Sequence, residues 1–109
     1  MITTHVLDTS RGKPAANVGL KLEIRHGDTW TEVGRGETDD DGRCRTLTQA
    51  NVEAGVYRIC FDVGSYYRER HTDTFFPEAV ITFYVTDGAQ QYHVPLLVSP
   101  FGYSTYRGS

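Results

Sequence analysis

The residues of this sequence best suited to chemistry are two histidines, His5 and His93, and one arginine, Arg43. Hydrolysis at a carbonyl group commonly needs a base that titrates near neutral pH to activate water. It also needs a cation or N–H donor where negative charge develops on the carbonyl oxygen. Imidazole and guanidinium groups fit these two roles. The other histidines, His26 and His71, fall in predicted turn and loop segments, so the pattern favours His5 and His93.

Each of these residues also has a purely structural interpretation. His93 could be a partly buried, hydrogen-bonded core histidine. Arg43 follows the turn Asp39 to Gly42, and an exposed arginine beside three aspartates is usually a solvated charge. This turn does not match a calcium loop, because the first ligand position is Glu37 and the position that needs a bidentate glutamate is Thr48. Local pattern alone leaves both interpretations open.

Other enzyme signatures are missing from the sequence. The glycine-rich run at Gly34 has Asp39 where a dinucleotide-binding motif needs its last glycine, and there is neither a P-loop nor an HExxH motif. Cys44 and Cys60 are not part of a CxxC pair. We therefore expect two reduced thiols, and neither a zinc cluster nor a disulfide.

The length of 109 residues predicts a single domain, residues 1–109, that can bury a core. Eleven Lys and Arg against fourteen Asp and Glu give a net charge of −3, without a basic stripe, so nucleic acid is not an expected partner. The apolar runs are too short to span a membrane, and the opening MITTHVLD lacks the features of a signal peptide. We expect an intracellular protein that binds no membrane.

Alternation of apolar and polar residues indicates strands along most of the chain. It is clearest from Gly19 to Arg25, where Leu20, Leu22 and Ile24 point inward. Further strands are predicted at Ile2–Leu7, Thr29–Glu37, Arg45–Leu47, Val56–Asp62, Ala79–Thr86, Tyr92–Val98 and Gly102–Arg107, with one helix of two turns at Ser65–Arg70, capped by Ser65. Seven or eight short strands with one helix favour an antiparallel β-sandwich.

The strand Tyr92–Val98 is apolar on both faces. Tyr92, Val94, Leu96 and Val98 lie on one face and His93, Pro95 and Leu97 on the other. A sheet backed by solvent does not need a second apolar face, so the His93 face is expected to pack against another subunit. Pro95 lacks a backbone donor, so we expect a bulge there or a position where the donor is not needed.

The motifs at both ends of the chain carry a resemblance to a known family. The segments Tyr92–Leu97, Ser99-Pro100 and the terminal Tyr106-Arg107-Gly108-Ser109 resemble the C-terminal signature of the 5-hydroxyisourate hydrolases, the transthyretin-related enzymes of urate breakdown. Further matching motifs are Thr4–Thr9, Gly12–Ala15, Thr38–Arg43, Gly55–Tyr57 and Phe75–Glu78, so the similarity covers the whole chain. Gln91 departs from the pattern, because many members carry a histidine there.

The resemblance implies a transthyretin-like sandwich of two four-stranded sheets with one short helix. It also implies catalytic roles for His5, His93 and Ser109, and substrate binding by His5, Arg43, His93, Tyr106, Arg107 and Ser109. The expected reaction is hydrolysis of 5-hydroxyisourate to 2-oxo-4-hydroxy-4-carboxy-5-ureidoimidazoline in purine degradation, with no metal or cofactor. The resemblance further implies a homotetramer. Because the terminal Arg107-Gly108-Ser109 is not a peroxisomal address, we expect a bacterial cytoplasm as the location.

Two functions of other classes remain as alternatives. A non-catalytic carrier of the transthyretin kind would share the sandwich and bind a small aromatic ligand between subunits. A β-sandwich interaction module of the adhesin kind is less consistent with the absence of a secretion signal. The joint presence of His5, Arg43, His93 and the terminal motif favours the enzyme over both.

Overall fold

The computed structural model describes residues 1–109, which form two packed β-sheets and one short helix. The elements are β1 (Ile2–Asp8), β2 (Lys13–Pro14), β3 (Gly19–His26), β4 (Thr29–Glu37), β5 (Arg43–Cys44), β6 (Gly55–Phe61), α1 (Val63–Glu69), β7 (Ala79–Val85), β8 (Tyr92–Ser99) and β9 (Gly102–Thr105). The first sheet has the strand order β2-β1-β8-β9, with the short β5 also paired to β1, and the second has the order β4-β3-β6-β7. The predicted sandwich with one helix is confirmed, but the first sheet has five strands instead of four because the short β5 joins it at β1.

The core lies between the two sheets and is built from the alternating residues of their facing sides. On β3, Leu20, Leu22 and Ile24 are buried, as the sequence predicts. On β8, the side chains of Tyr92, Val94, Leu96 and Val98 are buried in the same cluster. Their opposite neighbours on β8, among them His93, therefore project from the outer face of the first sheet.

One strand pair is not antiparallel. β1 and β8 run in parallel, and the register places Thr3 opposite His93, His5 opposite Pro95 and Leu7 opposite Leu97. All the other pairs in both sheets are antiparallel. Alternation along a strand predicts which face a residue occupies but not the direction of its neighbour, so the parallel pair was not predicted.

The helix starts earlier than the sequence predicts. It runs from Val63 to Glu69 instead of Ser65 to Arg70, and its N-cap is Asp62, whose side chain accepts a hydrogen bond from the Ser65 amide. Aspartate is as good a cap as serine, and capping from Asp62 allows Val63 to be buried in the core. The predicted cap at Ser65 is therefore wrong.

The helix is attached to β1 through the buried carboxylate of Asp8. This carboxylate accepts hydrogen bonds from Tyr66 Oη at 2.9 Å, from Tyr67 Oη at 3.2 Å and from the backbone N–H and the hydroxyl of Ser10. Burial alone would raise the pKa of Asp8, but the hydrogen bonds from Ser10, Tyr66 and Tyr67 lower it overall. The charged carboxylate thus fixes one end of β1 to the helix.

Two other predicted strands have different bounds. The strand expected at Arg45–Leu47 lies at Arg43–Cys44, directly after the Asp-rich turn, and pairs with β1. The last strand, β9, ends at Thr105 instead of Arg107. Cys44 and Cys60 are buried free thiols on different sheets.

The structure contains no helix that could span a membrane.

Candidate active site

The register of three strands brings His5, Arg43 and His93 onto the outer face of the first sheet. His5 on β1 pairs with Arg43 on β5, and Thr3, two residues before His5, pairs with His93 on β8. Residues that pair directly, or that are two apart along a strand, project from the same face. The three residues that the sequence predicts as site residues therefore form one cluster, although they are far apart in the sequence.

His5 and His93 are diagonal neighbours on this face. A strand separation of about 4.8 Å and a two-residue rise of about 6.6 Å place their Cα atoms about 8 Å apart. Both side chains are half-buried. Arg43 on β5 and His93 on β8 lie on either side of β1, which carries His5.

The turn between β4 and β5 holds both Arg43 and His5. The Asp39 carboxylate accepts the backbone N–H groups of Asp41 and Arg43, each at 2.9 Å. Gly42 has a φ of +76°, and a Cβ there would lie 2.4 Å from the Val6 carbonyl oxygen, so only glycine fits. The Asp39 side chain therefore shapes the loop from which Arg43 projects, and the predicted Asp-Gly turn is confirmed.

The same turn selects the tautomer of His5. Nε2 of His5 lies 2.9 Å from the backbone carbonyl oxygen of Asp41. A carbonyl oxygen only accepts, so Nε2 carries the proton and donates it. In neutral His5, Nδ1 is then the ring nitrogen with a free lone pair.

His93 has a different environment. Its Nδ1 lies 2.8 Å from Oγ1 of Thr3, and the charged groups that act on its ring are cationic. Burial lowers the pKa of His93, and the positive charges of Arg43, His5 and Arg45 lower it further. His93 is therefore neutral at pH 7, the state that a general base requires.

The last residues of the chain lie against His93. The Gly108 N–H donates to the His93 carbonyl oxygen at 2.8 Å, and Oγ1 of Thr105 donates to the Pro95 carbonyl oxygen at 2.6 Å. An N–H at residue 95 would point towards β9, on the same side as the Pro95 carbonyl. β9 ends at Thr105, so no strand residue there needs this donor. Pro95 therefore sits where its donor is not needed, as the sequence predicts.

Arg107 anchors this terminal segment on the other side. Its guanidinium carbon lies 4.7 Å from the centre of the Tyr92 ring, and Nη2 donates to the side-chain oxygen of Gln90 at 3.4 Å. Tyr92 in turn accepts the backbone N–H groups of Thr86 and Asp87 through its hydroxyl. The cation–π contact thus attaches the terminal segment to the end of β8.

Two cavities meet at His93. The first, of about 200 Å³, is the cleft that contains His93, Arg43 and Ser109; its other lining residues are Met1, Thr3, Thr4, Arg45 and Gln91. The second, of about 340 Å³, is a more apolar groove that contains Tyr106 and Arg107 beside β7. Within one chain, the structure therefore groups His93, Arg43 and Ser109 in one cleft, and it places Tyr106 and Arg107 in the other groove beside His93. His5 shares the sheet face with Arg43 and His93 but does not line this cleft.

Sequence reasoning missed two residues that line this cleft, Thr3 and Arg45. Alternation places Thr3 on the same face as His5, and Arg45 follows Arg43 at a spacing of two. These spacings identify the shared face but not the contact between Thr3 and His93, which depends on the parallel pairing of β1 and β8. No group of three or more His, Cys, Asp or Glu side chains is arranged to hold a metal ion.

Sequence comparison identifies relatives that are similar over the whole chain. The 5-hydroxyisourate hydrolase of Salmonella typhimurium is 44% identical over 110 residues, which are 100% of this chain and 81% of that protein. The 5-hydroxyisourate hydrolase of Mus musculus is 41% identical over 111 residues, 99% of this chain and 94% of the mouse protein.

Solved structures give the same result for the fold. The 5-hydroxyisourate hydrolase of Klebsiella pneumoniae superposes with a TM-score of 0.88 at 31% identity, covering 99% of this chain and 98% of that one. Sea bream transthyretin in complex with thyroxine gives a TM-score of 0.91 at 33% identity, with 98% and 93% covered. The model of the HIUase/Transthyretin family matches residues 2–108, and the chain belongs to that family.

Proposed function

We propose that this protein is an enzyme that hydrolyses 5-hydroxyisourate to 2-oxo-4-hydroxy-4-carboxy-5-ureidoimidazoline in urate degradation. The observation that carries the proposal is the register of β1, β5 and β8, which gathers His5, Arg43 and His93 on one sheet face. The names of the full-length relatives in Salmonella and mouse support the same activity. The reaction needs a base and a cation, and this cluster contains both.

In the proposed mechanism, neutral His93 takes a proton from water through Nε2. The resulting hydroxide adds to the cyclic amide carbonyl carbon, and Arg43 stabilises the negative charge that develops on the carbonyl oxygen. The C–N bond then breaks, and the departing nitrogen takes the proton that His93 holds on Nε2, which returns His93 to its neutral form. Nδ1 of His5 has a free lone pair because Nε2 donates to Asp41, so His5 is available to orient the water or the substrate.

The remaining roles concern the terminal segment. We assign Ser109 to the catalytic group because it lines the cleft with His93 and Arg43. Tyr106 and Arg107 are proposed as substrate-binding residues, and they line the groove on the other side of His93. No metal or cofactor has a part in the proposed reaction.

The competing function is a non-catalytic carrier of small ligands, which is favoured by the similarity to sea bream transthyretin in complex with thyroxine. The lining of the cleft argues against it. Two arginines, a histidine, two threonines, a glutamine and a serine surround the cleft, which suits a polar, hydrogen-bonding substrate better than an apolar ligand.

We also propose that the protein is a homotetramer, for which two surface features give support. β7 and β9 are edge strands on the same side of the sandwich, and the exposed Tyr84 and Tyr106 lie at this side. Edge strands with apolar neighbours are suited to pairing with a second copy. The outer face of the first sheet carries Pro95 and Leu97 beside the cleft, which suits packing between two such dimers.

A location in a bacterial cytoplasm remains a prediction.

The direct test uses the purified protein and 5-hydroxyisourate freshly made by urate oxidase. We expect the protein to accelerate the decay of 5-hydroxyisourate, followed by its ultraviolet absorbance. His26→Ala and His71→Ala serve as matched controls, because these histidines are away from the cleft and their variants should retain the rate. A decay no faster than in buffer would reject the enzyme and leave the carrier, which thyroxine binding measured by calorimetry would then test.

A further inference from the structure

Thr3 is a buried residue with a hydroxyl that has one polar partner. It is 6% exposed, and its Oγ1 lies 2.8 Å from Nδ1 of His93, the residue opposite it in the parallel register. The neighbouring Thr4 instead donates its hydroxyl to the backbone carbonyl of Val94. Thr3 is therefore the residue on β1 whose side chain holds the ring of His93.

The contact with Thr3 leaves one ring nitrogen of His93 for chemistry. Nδ1 is engaged by Thr3, and His93 lines the cleft, so Nε2 is the ring nitrogen left for a ligand there. When the Thr3 hydroxyl accepts from Nδ1–H, Nε2 carries the lone pair. A base that acts through Nε2 needs this tautomer, and the ring needs this hydrogen bond to keep its orientation.

The chemical nature of the partner also matters. In many histidine bases the orienting group is a carboxylate, which stabilises the imidazolium. A hydroxyl is uncharged, so it orients the ring without favouring protonation. It can also keep its hydrogen bond as His93 gains and loses a proton, because both the neutral tautomer and the imidazolium have Nδ1–H as a donor.

On this basis we propose that Thr3 is a positioning residue for the reaction, whose hydroxyl accepts a hydrogen bond from Nδ1–H of His93 and so presents Nε2 to the cleft as the base. This inference rests on the proposed hydrolysis for its kinetic consequence. The assignment of the tautomer, in contrast, concerns the free protein and can be measured without substrate.

The kinetic test compares three variants. Thr3→Val keeps the shape of the side chain but removes the hydroxyl, and we expect kcat to fall about tenfold to a hundredfold with little change in KM. Thr3→Ser restores the hydroxyl and should recover most of kcat. Thr9→Val is the matched control, because Thr9 also lies at the β1–β8 boundary and donates to a β8 carbonyl, that of Val98, away from the cleft.

The second measurement is the ¹⁵N spectrum of the histidine rings in the intact protein without substrate. We expect wild-type His93 to be in the Nδ1–H form, and Thr3→Val to shift it towards a mixture of tautomers. If Thr3→Val does not fold, the wild-type spectrum and the comparison of Thr3→Ala with Thr3→Ser decide the question in the same way.

The outcomes separate this inference from the proposed function. An Nε2–H tautomer in the wild type, or a Thr3→Val protein with unchanged kcat, would overturn the role of Thr3 even if 5-hydroxyisourate is hydrolysed. The opposite outcome is also informative. If the protein does not hydrolyse 5-hydroxyisourate, the proposed function is rejected. If the wild type still has the Nδ1–H form of His93 and Thr3→Val loses it, Thr3 remains the group that holds His93.

Discussion

Gly108 lies directly over the ring of His93. Its N–H donates to the His93 carbonyl at 2.8 Å, and a Cβ built on Gly108 would lie 2.5 Å from Cδ2 of His93 and 3.3 Å from Cγ of Pro95. Real Cβ atoms do not approach other atoms so closely, so the ring or the terminal segment would have to move. Glycine at this position is therefore required by close approach to His93 and not by an unusual backbone angle.

The first prediction follows from this contact. Gly108→Ala should displace the His93 ring or the terminal segment and lower kcat about a hundredfold, because misplacement by 1 Å can cost that much. The loss is measured by the decay of 5-hydroxyisourate, with the melting temperature recorded in parallel. Gly102→Ala is the control, since a Cβ there meets only Oγ of Ser99 at 3.9 Å. Equal activity of the two variants would contradict the prediction.

The second prediction concerns the three clustered side chains. His5→Ala, Arg43→Ala and His93→Ala should each lower kcat/KM by roughly a hundredfold to ten-thousandfold while the protein stays folded. His93→Ala removes the base, Arg43→Ala removes the stabilising charge, and His5→Ala removes the group that orients the water or the substrate. Steady-state kinetics and circular dichroism measure the two properties. The assignment of the base would be wrong if His93→Ala turned over substrate at nearly the wild-type rate.

The third prediction is a pH dependence. Burial and the nearby positive charges of Arg43, His5 and Arg45 lower the pKa of His93. As a base, His93 is active when deprotonated, so kcat/KM should decline with falling pH only below about 6.5, the ordinary value for histidine. The unfolded chain then binds more protons than the folded one, so stability should also fall over the same acidic range.

A variant can test the electrostatic cause of this shift. Arg45→Gln removes one positive charge that lowers the pKa of His93, so the acidic limb of the kcat/KM profile should move to higher pH. Arg25→Gln, on the second sheet, should leave the profile unchanged. The explanation fails if both variants give the wild-type profile.

The fourth prediction concerns assembly. Light scattering at micromolar concentration should give a tetramer, and Leu97→Lys should disrupt it, because it places a charge on the outer face of the first sheet where two dimers are proposed to pack. Val33→Lys is the matched control, since Val33 is 46% exposed on the edge strand of the other sheet. A fully active monomeric wild type would show that the site is complete within one chain.

Much of the fold could be predicted from local pattern. The inward residues Leu20, Leu22 and Ile24 and the buried face of β8 follow from alternation, because a strand that covers a core must be apolar at every second position. The pattern predicts the helix to within two residues but not its first residue, because Asp62 and Ser65 are both good caps.

The sequence by itself determined which residue types were available, which of them share a face of each strand, and that both ends of the chain carry the family motifs. Only the tertiary structure decided that Thr3 faces His93, that His5 faces Arg43 and that Gly108 covers the His93 ring. The physical reason is that the direction and register of paired strands depend on the packing of the whole core and on the turn held by Asp39. No local pattern around residue 3 contains information about residue 93.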